Sequence, residues 1–196
     1  MLEKDIGFRS PTFFNYKPDW KKPMTLSPIW ATDGSSTIHK KSQRSGRRSR
    51  PKWDYSYVVS YRQVEDYASE YLKNVRAVNR VCVVPMWVLH TTGLLDPSGT
   101  TITFDAPVEM NNFYAGDYCL ISDGLTEENN YEVFALIDSV DRVGMTVTLV
   151  QALATLPDEF DVHVTPCLKG TFEGGATSVE RKSLDNYSHP VRFITL

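Results

Sequence analysis

The sequence predicts a mainly β protein with one amphipathic helix: an α+β N-terminal unit followed by a small antiparallel β-barrel or sandwich. Three observations carry this. Aromatic and β-branched residues alternate from Trp53, one run of apolar residues keeps helical spacing from Val64, and short apolar strands separated by turn residues recur after Thr100. They divide the chain into an extended aromatic and basic arm over 1–52, a strand–helix–strand unit over 53–93, a small antiparallel barrel over 94–170, and a segment over 171–196 that returns as a strand.

The first unit is read from its alternation. Trp53, Tyr55, Tyr57 and Val59 fall on one face of a strand and Asp54, Ser56, Val58 and Ser60 on the other. Val64, Tyr67, Ala68, Tyr71, Leu72, Val75 and Val78 then recur at the spacing of one helical face. Ser60 with Gln63 suits its start, and Lys73, Arg76 and Arg80 suit its end. The helix is expected to pack Tyr67, Tyr71, Leu72 and Val75 on the sheet that holds Trp53, Tyr55 and Tyr57. Val81 to Leu89 is apolar on both faces, so it reads as a buried strand that Pro85 ends or bulges, with Trp87 in the core. Residues 91–99 read as turn and as the internal boundary.

In the second half, strands are expected at Thr100–Phe104, Tyr118–Ser122, Tyr131–Val140, Met145–Val150 and Asp161–Val164, with Asp141–Gly144 as a hairpin turn. The chain should close with an apolar strand from Val191 to Leu196 that rejoins a sheet.

Composition bounds the function classes. Of 196 residues, 41% are hydrophobic and 23% charged, which fits a folded domain and excludes wholesale disorder. No apolar run reaches the roughly 18 residues of a membrane helix, and the N-terminus lacks the pattern of a secretory signal, so synthesis in a cytoplasm is expected. Cys82, Cys119 and Cys167 are far apart, without the spacing of a zinc or redox pair, and are expected as buried thiols. The net charge of −3 hides an asymmetry: the chain is basic up to Trp53 and acidic beyond it.

No catalytic or cofactor-binding set is predicted. GxSxG, HExxH and P-loop motifs are absent, and His39, His90, His163 and His189 fall in different elements. Asp117, Asp123, Glu127, Glu128 and Glu132 lack a calcium-loop pattern and read as turn and loop chemistry. The chemistry that remains is adhesive. Phe8, Phe13, Phe14, Tyr16, Trp20 and Trp30, interspersed with prolines, read as an extended arm that plugs aromatics into pockets. His39 to Lys52 holds seven Lys or Arg and no acid. It could meet phosphates, but no aromatic interleaving or recognition-helix pattern accompanies it, so a solvated or inter-subunit loop is expected.

The order Trp20, Pro23, Trp30, a basic stretch from Arg44 to Pro51, the strand from Trp53, one helix, then Val84-Pro-Met-Trp87 resembles the opening unit of tail structural proteins of long-tailed bacteriophages, of the distal-tail or baseplate-like kind. Phe113-Tyr-Ala-Gly-Asp117, Tyr131-Glu-Val133, Ile137-Asp-Ser-Val140 and Thr146-Val-Thr-Leu149 resemble the small β-barrel that follows in such proteins. The resemblance implies a virion protein near the tail tip with no catalytic residues, a non-enzymatic subunit partnered by copies of itself in a symmetric ring and by tail tube, hub or baseplate subunits; no cofactor is expected, and nucleic acid is not the favoured partner.

On that reading the interface is assigned to Phe13, Phe14, Trp20 and Trp30, buried against neighbours, and to Arg44, Arg47, Arg48 and Arg50, facing carboxylates of adjacent chains. The arm is expected to gain its structure from those neighbours, so that deleting residues 1–51 leaves a folded domain. Two other classes compete: a head-to-tail connector whose basic segment meets packaged DNA, and a module that binds host glycans through its aromatics.

Overall fold

The protein is described by a computed structural model at residues 12–14, 16–29, 52–61, 81–124, 131–172, 180–181 and 187–195. The strands there are β1 (Thr12–Phe13), β2 (Thr25–Ile29), β3 (Lys52–Tyr61), β4 (Cys82–Pro85), β5 (Thr91–Leu95), β6 (Thr101–Thr103), β7 (Tyr118–Ser122), β8 (Glu132–Asp141), β9 (Thr146–Leu149), β10 (Asp161–Phe172), β11 (Glu180–Arg181) and β12 (Tyr187–Thr195). Two short 3-10 turns, Trp87–Leu89 and Pro107–Asn112, complete the described elements.

Six strands close on themselves. β5 pairs with β6, β6 with β9, β9 with β8, β8 with β7 and β7 with the first half of β10, which also pairs with β5, all antiparallel. Closure leaves the barrel no free edge. Alternation along each strand sends one set of side chains inward. Leu95, Ile102, Cys119, Ile121, Ala135, Ile137, Val147, Leu149, Val162 and Val164 fill the interior, and Phe104, Met110 and Phe113 join them. The Phe104 and Phe113 rings lie 5.3 Å apart. Pro107–Asn112 supplies Met110 to this core from a 3-10 turn.

β10 joins the barrel to a second sheet. Val164 pairs with Ile121 of the barrel, whereas Cys167–Gly170 pair with β4 and Gly170–Phe172 with β12. The second sheet runs β1-β4-β10-β12-β3-β2, with β11 against β12. β4 and β5 thus lie along one edge of β10, interrupted by residues 86–90. There the Met86 N–H donates to the Pro166 carbonyl at 2.8 Å and the Trp87–Leu89 turn turns Trp87 into the core, fully buried. Pro85 ends β4, as its missing donor requires.

The core of the second sheet is where the Trp53 alternation is realised. Tyr55, Tyr57 and Val59 are buried with Phe14, Val83, Trp87, Leu120, Cys167 and Phe193. The Tyr55 hydroxyl accepts from the Trp87 N–H at 3.2 Å, which satisfies a donor that the turn leaves free. Burial pushes the Tyr55 phenol well above its ordinary pKa, so it stays neutral.

The amphipathic helix expected over Val64–Val78 lies outside the described residues; the described residues contain no α-helix and so do not bear it out. Phe14 from the N-terminal segment and Leu120 from the outer wall of the barrel pack with the aromatic face of β3. A periodic pattern reports an apolar face but not what lies on it.

The expected strands of the second half are present, with β10 much longer than Asp161–Val164 and shared between the two sheets. Residues 91–95, expected as turn, form β5 instead. The turn chemistry there belongs to Asp96–Gly99, where Asp96 Oδ1 accepts the Thr100 and Thr101 N–H groups at 2.8 Å and Gly99 takes φ +70°. Gly93 is a packing residue: a Cβ there would lie 2.7 Å from Ile102 Cγ2 and 3.2 Å from Phe104 Cε1. Gly93→Ala should therefore destabilise the protein by about 1–3 kcal/mol, read as a lower denaturant midpoint with an unchanged slope.

Candidate interaction surface

The N-terminal segment is built into the chain's own fold. Thr12 and Phe13 pair in parallel with Cys82 and Val83, and the Phe14 N–H donates to the Val83 carbonyl at 2.9 Å. Pro18 then bridges to Val59, and the Asp19 N–H donates to the Val58 carbonyl at 2.7 Å. The segment crosses from β4 to β3, and β2 continues as the hairpin partner of β3. Lys17 Nζ meets Glu132 Oε1 of the barrel at 2.7 Å with both side chains mostly buried. The expectation that this region takes its structure only from other subunits is corrected for residues 12–29: backbone pairing and a shared core fix them within the chain.

The assigned aromatics separate accordingly. Phe14 is fully buried in the chain's own core, so it is an internal anchor that no neighbour can touch. Phe13 packs on Phe134 and edge-on to Tyr118, with centroids at 4.6 and 5.1 Å, and keeps 37% exposure. Trp20 stands edge-on to Trp87 and His90 at 6.4 and 6.3 Å and keeps 47% exposure. Trp30, Arg44, Arg47, Arg48 and Arg50 lie outside the described residues. Phe13 and Trp20 are thus held from beneath and open above, the state of an aromatic contact residue.

The groups singled out for possible chemistry are dispersed. His90 shares a hydrogen bond through Nδ1 with the Trp87 carbonyl at 2.9 Å, and its ring lies 6.3 Å from that of His163. Burial lowers the His163 pKa, the charge of His90 lowers it further, and Asp123 opposes both. His189 lies on β12 opposite Val59, and His39 lies outside the described residues. Glu132 is held by Lys17 and Asp123 is exposed, while Glu127 and Glu128 lie outside the described residues. Among the described residues no group of three or more His, Cys, Asp or Glu could hold a metal. No helix among them is long and apolar enough to cross a membrane.

Compared with known proteins, the chain matches no family model and no curated protein. Its surface must be read from its own side chains.

The three cysteines are free and buried. Burial pushes the Cys119 thiol up to about 12 and that of Cys167 well above its ordinary value. Because the thiolate is the reactive form, all three should resist an aromatic disulfide reagent in the native protein and react only on unfolding. Prompt modification of the folded chain would contradict this burial.

Sequence reasoning missed a second set of surface side chains. Val88, Leu94, Leu156 and Phe160 are exposed at 36% or more. Leu94 was hidden by being read as turn; its place outside the barrel follows once residues 91–95 alternate as a strand, with Gly93 and Leu95 buried.

Proposed function

We propose that the chain is a non-enzymatic structural subunit of a bacteriophage tail, placed at the tail tip or baseplate, which works by binding copies of itself and neighbouring tail subunits. One observation carries the reading: large apolar side chains stand on the surface of a firmly built body. Phe13, Trp20, Val88, Leu94, Tyr114 and Phe160 are each at least 36% exposed on strands or on segments tied to them. Monomeric proteins rarely expose large contiguous apolar patches, and rigid aromatic and aliphatic anchors are what interfaces use.

The phage assignment adds the resemblance in residue order. Two of its motifs fall at junctions that shape the body. Val84-Pro-Met-Trp87 covers the end of β4 and the start of the interruption before β5, and Phe113 to Asp117 leads from the core into β7.

The test is a binding panel on the purified full chain. Self-association that rises with concentration across the micromolar range, without affinity for glycans or DNA, is the expected result. A chain that stays monomeric and binds host surface glycans would replace this reading with a receptor-binding module. Steeply salt-dependent DNA binding would replace it with a connector.

A further inference from the structure

One end of the barrel carries an apolar patch with an acidic rim. Leu94 faces Asp161 across the β5–β10 ladder, and the Leu95 N–H donates to the Phe160 carbonyl at 2.8 Å. Leu156 packs at Gly99, in the turn that follows β5. Leu94, Leu156 and Phe160 are exposed at 55%, 39% and 36%, and Asp158, Glu159 and Asp161 are exposed beside them. The barrel as a whole is unbalanced. From Val81 to Leu168 the sequence holds thirteen Asp or Glu and a single cation, Arg142. The segment from His39 to Lys52 is its complement, with seven Lys or Arg and no acid.

We propose that the basic segment 39–52 of one copy docks on the patch of Leu94, Leu156, Phe160, Asp158, Glu159 and Asp161 of a neighbouring copy. This rests on the structural-subunit reading and names the surface it uses. Arginine suits such a site, since its stem covers apolar surface while its fork meets carboxylates in two parallel hydrogen bonds. The patch supplies both partners within a few residues.

Chain geometry favours a neighbour over the chain's own patch. The segment is rooted where the β2–β3 ladder ends, at Ile29 and Lys52. Ile194 pairs with Asp54 on one side and Thr171 on the other, so Asp54 is level with Thr171 of β10. Asp161 lies ten residues back along that strand, roughly 33 Å away, and the β5 flank of β10 is opposite the β12 flank on which β3 lies. Arg50, Arg48 and Arg47 are tethered four, six and seven residues from Asp54, which reaches about 14, 20 and 24 Å at full extension. These three backbones fall short of their own patch, and Arg44, ten residues from Asp54, spans that distance only with its whole tether fully extended, at about 34 Å. Another copy can present its patch without that limit, and a contact between two different surfaces of identical chains is head-to-tail, the kind that builds rings or filaments.

The test uses full-length chains with reversed charge: one carrying Asp158→Lys, Glu159→Lys and Asp161→Lys, the other carrying Arg44→Glu, Arg47→Glu, Arg48→Glu and Arg50→Glu. Sedimentation velocity at low and high salt reads association, and thermal melting confirms that each variant folds. Each variant alone should lose about tenfold or more in self-association, and wild type should weaken with salt. Mixing the two should restore association, because the acidic segment of one now meets the basic patch of the other. Self-association that ignores both reversals overturns the proposal and leaves the subunit reading standing, whereas a wild-type chain that never associates overturns both. If the segment instead binds duplex DNA with an affinity that the patch reversal leaves unchanged, and the mixture shows no rescue, the partner is nucleic acid and the proposal fails.

Discussion

Trp87→Ala should cost about 3–5 kcal/mol, the range for truncating a large aromatic in a packed core. Trp87 has no exposed surface and packs among Tyr55, Phe14, Val84 and Cys167 in the core between barrel and sheet. Its backbone N–H is held by the Tyr55 hydroxyl, and its ring supports Trp20 from beneath. Alanine leaves a cavity that the surrounding strands, each paired on both sides or tied to the barrel, cannot close. For a chain of this length the loss corresponds to a fall of roughly 6–20 °C in Tm. Calorimetry of the purified variant checks it. A melting temperature within about 1 °C of wild type would mean that Trp87 packs loosely and that the join between β4 and β5 is not part of the core.

Deletion of residues 1–29 should abolish cooperative folding rather than release a folded body. The deleted segment supplies Phe14 to the core, the pairing of Thr12 and Phe13 with β4, the Pro18 bridge to β3, the Lys17–Glu132 pair and all of β2. Loss of the Phe14 ring alone is worth about 3–5 kcal/mol, a large part of the 5–15 kcal/mol that holds a typical domain together. Phe13→Ala provides the contrast: at 37% exposure, packed on one side by Tyr118 and Phe134, it should cost clearly less than Phe14→Ala. Proteolysis and circular dichroism of the truncated chain decide the point. A protease-resistant, cooperatively melting remainder would restore the reading of this segment as an arm independent of the domain.

That reversal shows where the sequence was legible. The strands of the barrel could be read because each buries one face, and Val133 to Ile137 and Met145 to Leu149 alternate in a way that only a pleated element satisfies. Pro85 at the end of β4 and Asp141–Gly144 at the β8–β9 turn were readable from local chemistry alone. Nothing local told that one strand serves two sheets. Pro166 and Cys167 look like any strand continuation, yet the chain passes there from the barrel into the second sheet. The N-terminal segment misled for a similar reason. Prolines and aromatics without a period resemble an arm, but a two-residue parallel pairing and one bridge are enough to thread such a segment through a core when Phe14 lands in it. Of the assigned surface, Phe13 and Trp20 are exposed, whereas Phe14 is buried. Leu94 escaped because exposure of a hydrophobic side chain depends on strand register, which the sequence states only weakly, and Leu156 and Phe160 because they lie in the loop before β10, where no period marks the buried side.

Electron microscopy of the species formed by the purified full-length chain tests the central claim most directly. A structural subunit of the kind described should form a closed, rotationally symmetric assembly in which the Trp20 surface or the barrel end of each copy is covered by the next. Images and sedimentation that show only single copies at every concentration and salt, with Trp20 and Leu94 open to solvent, would contradict it.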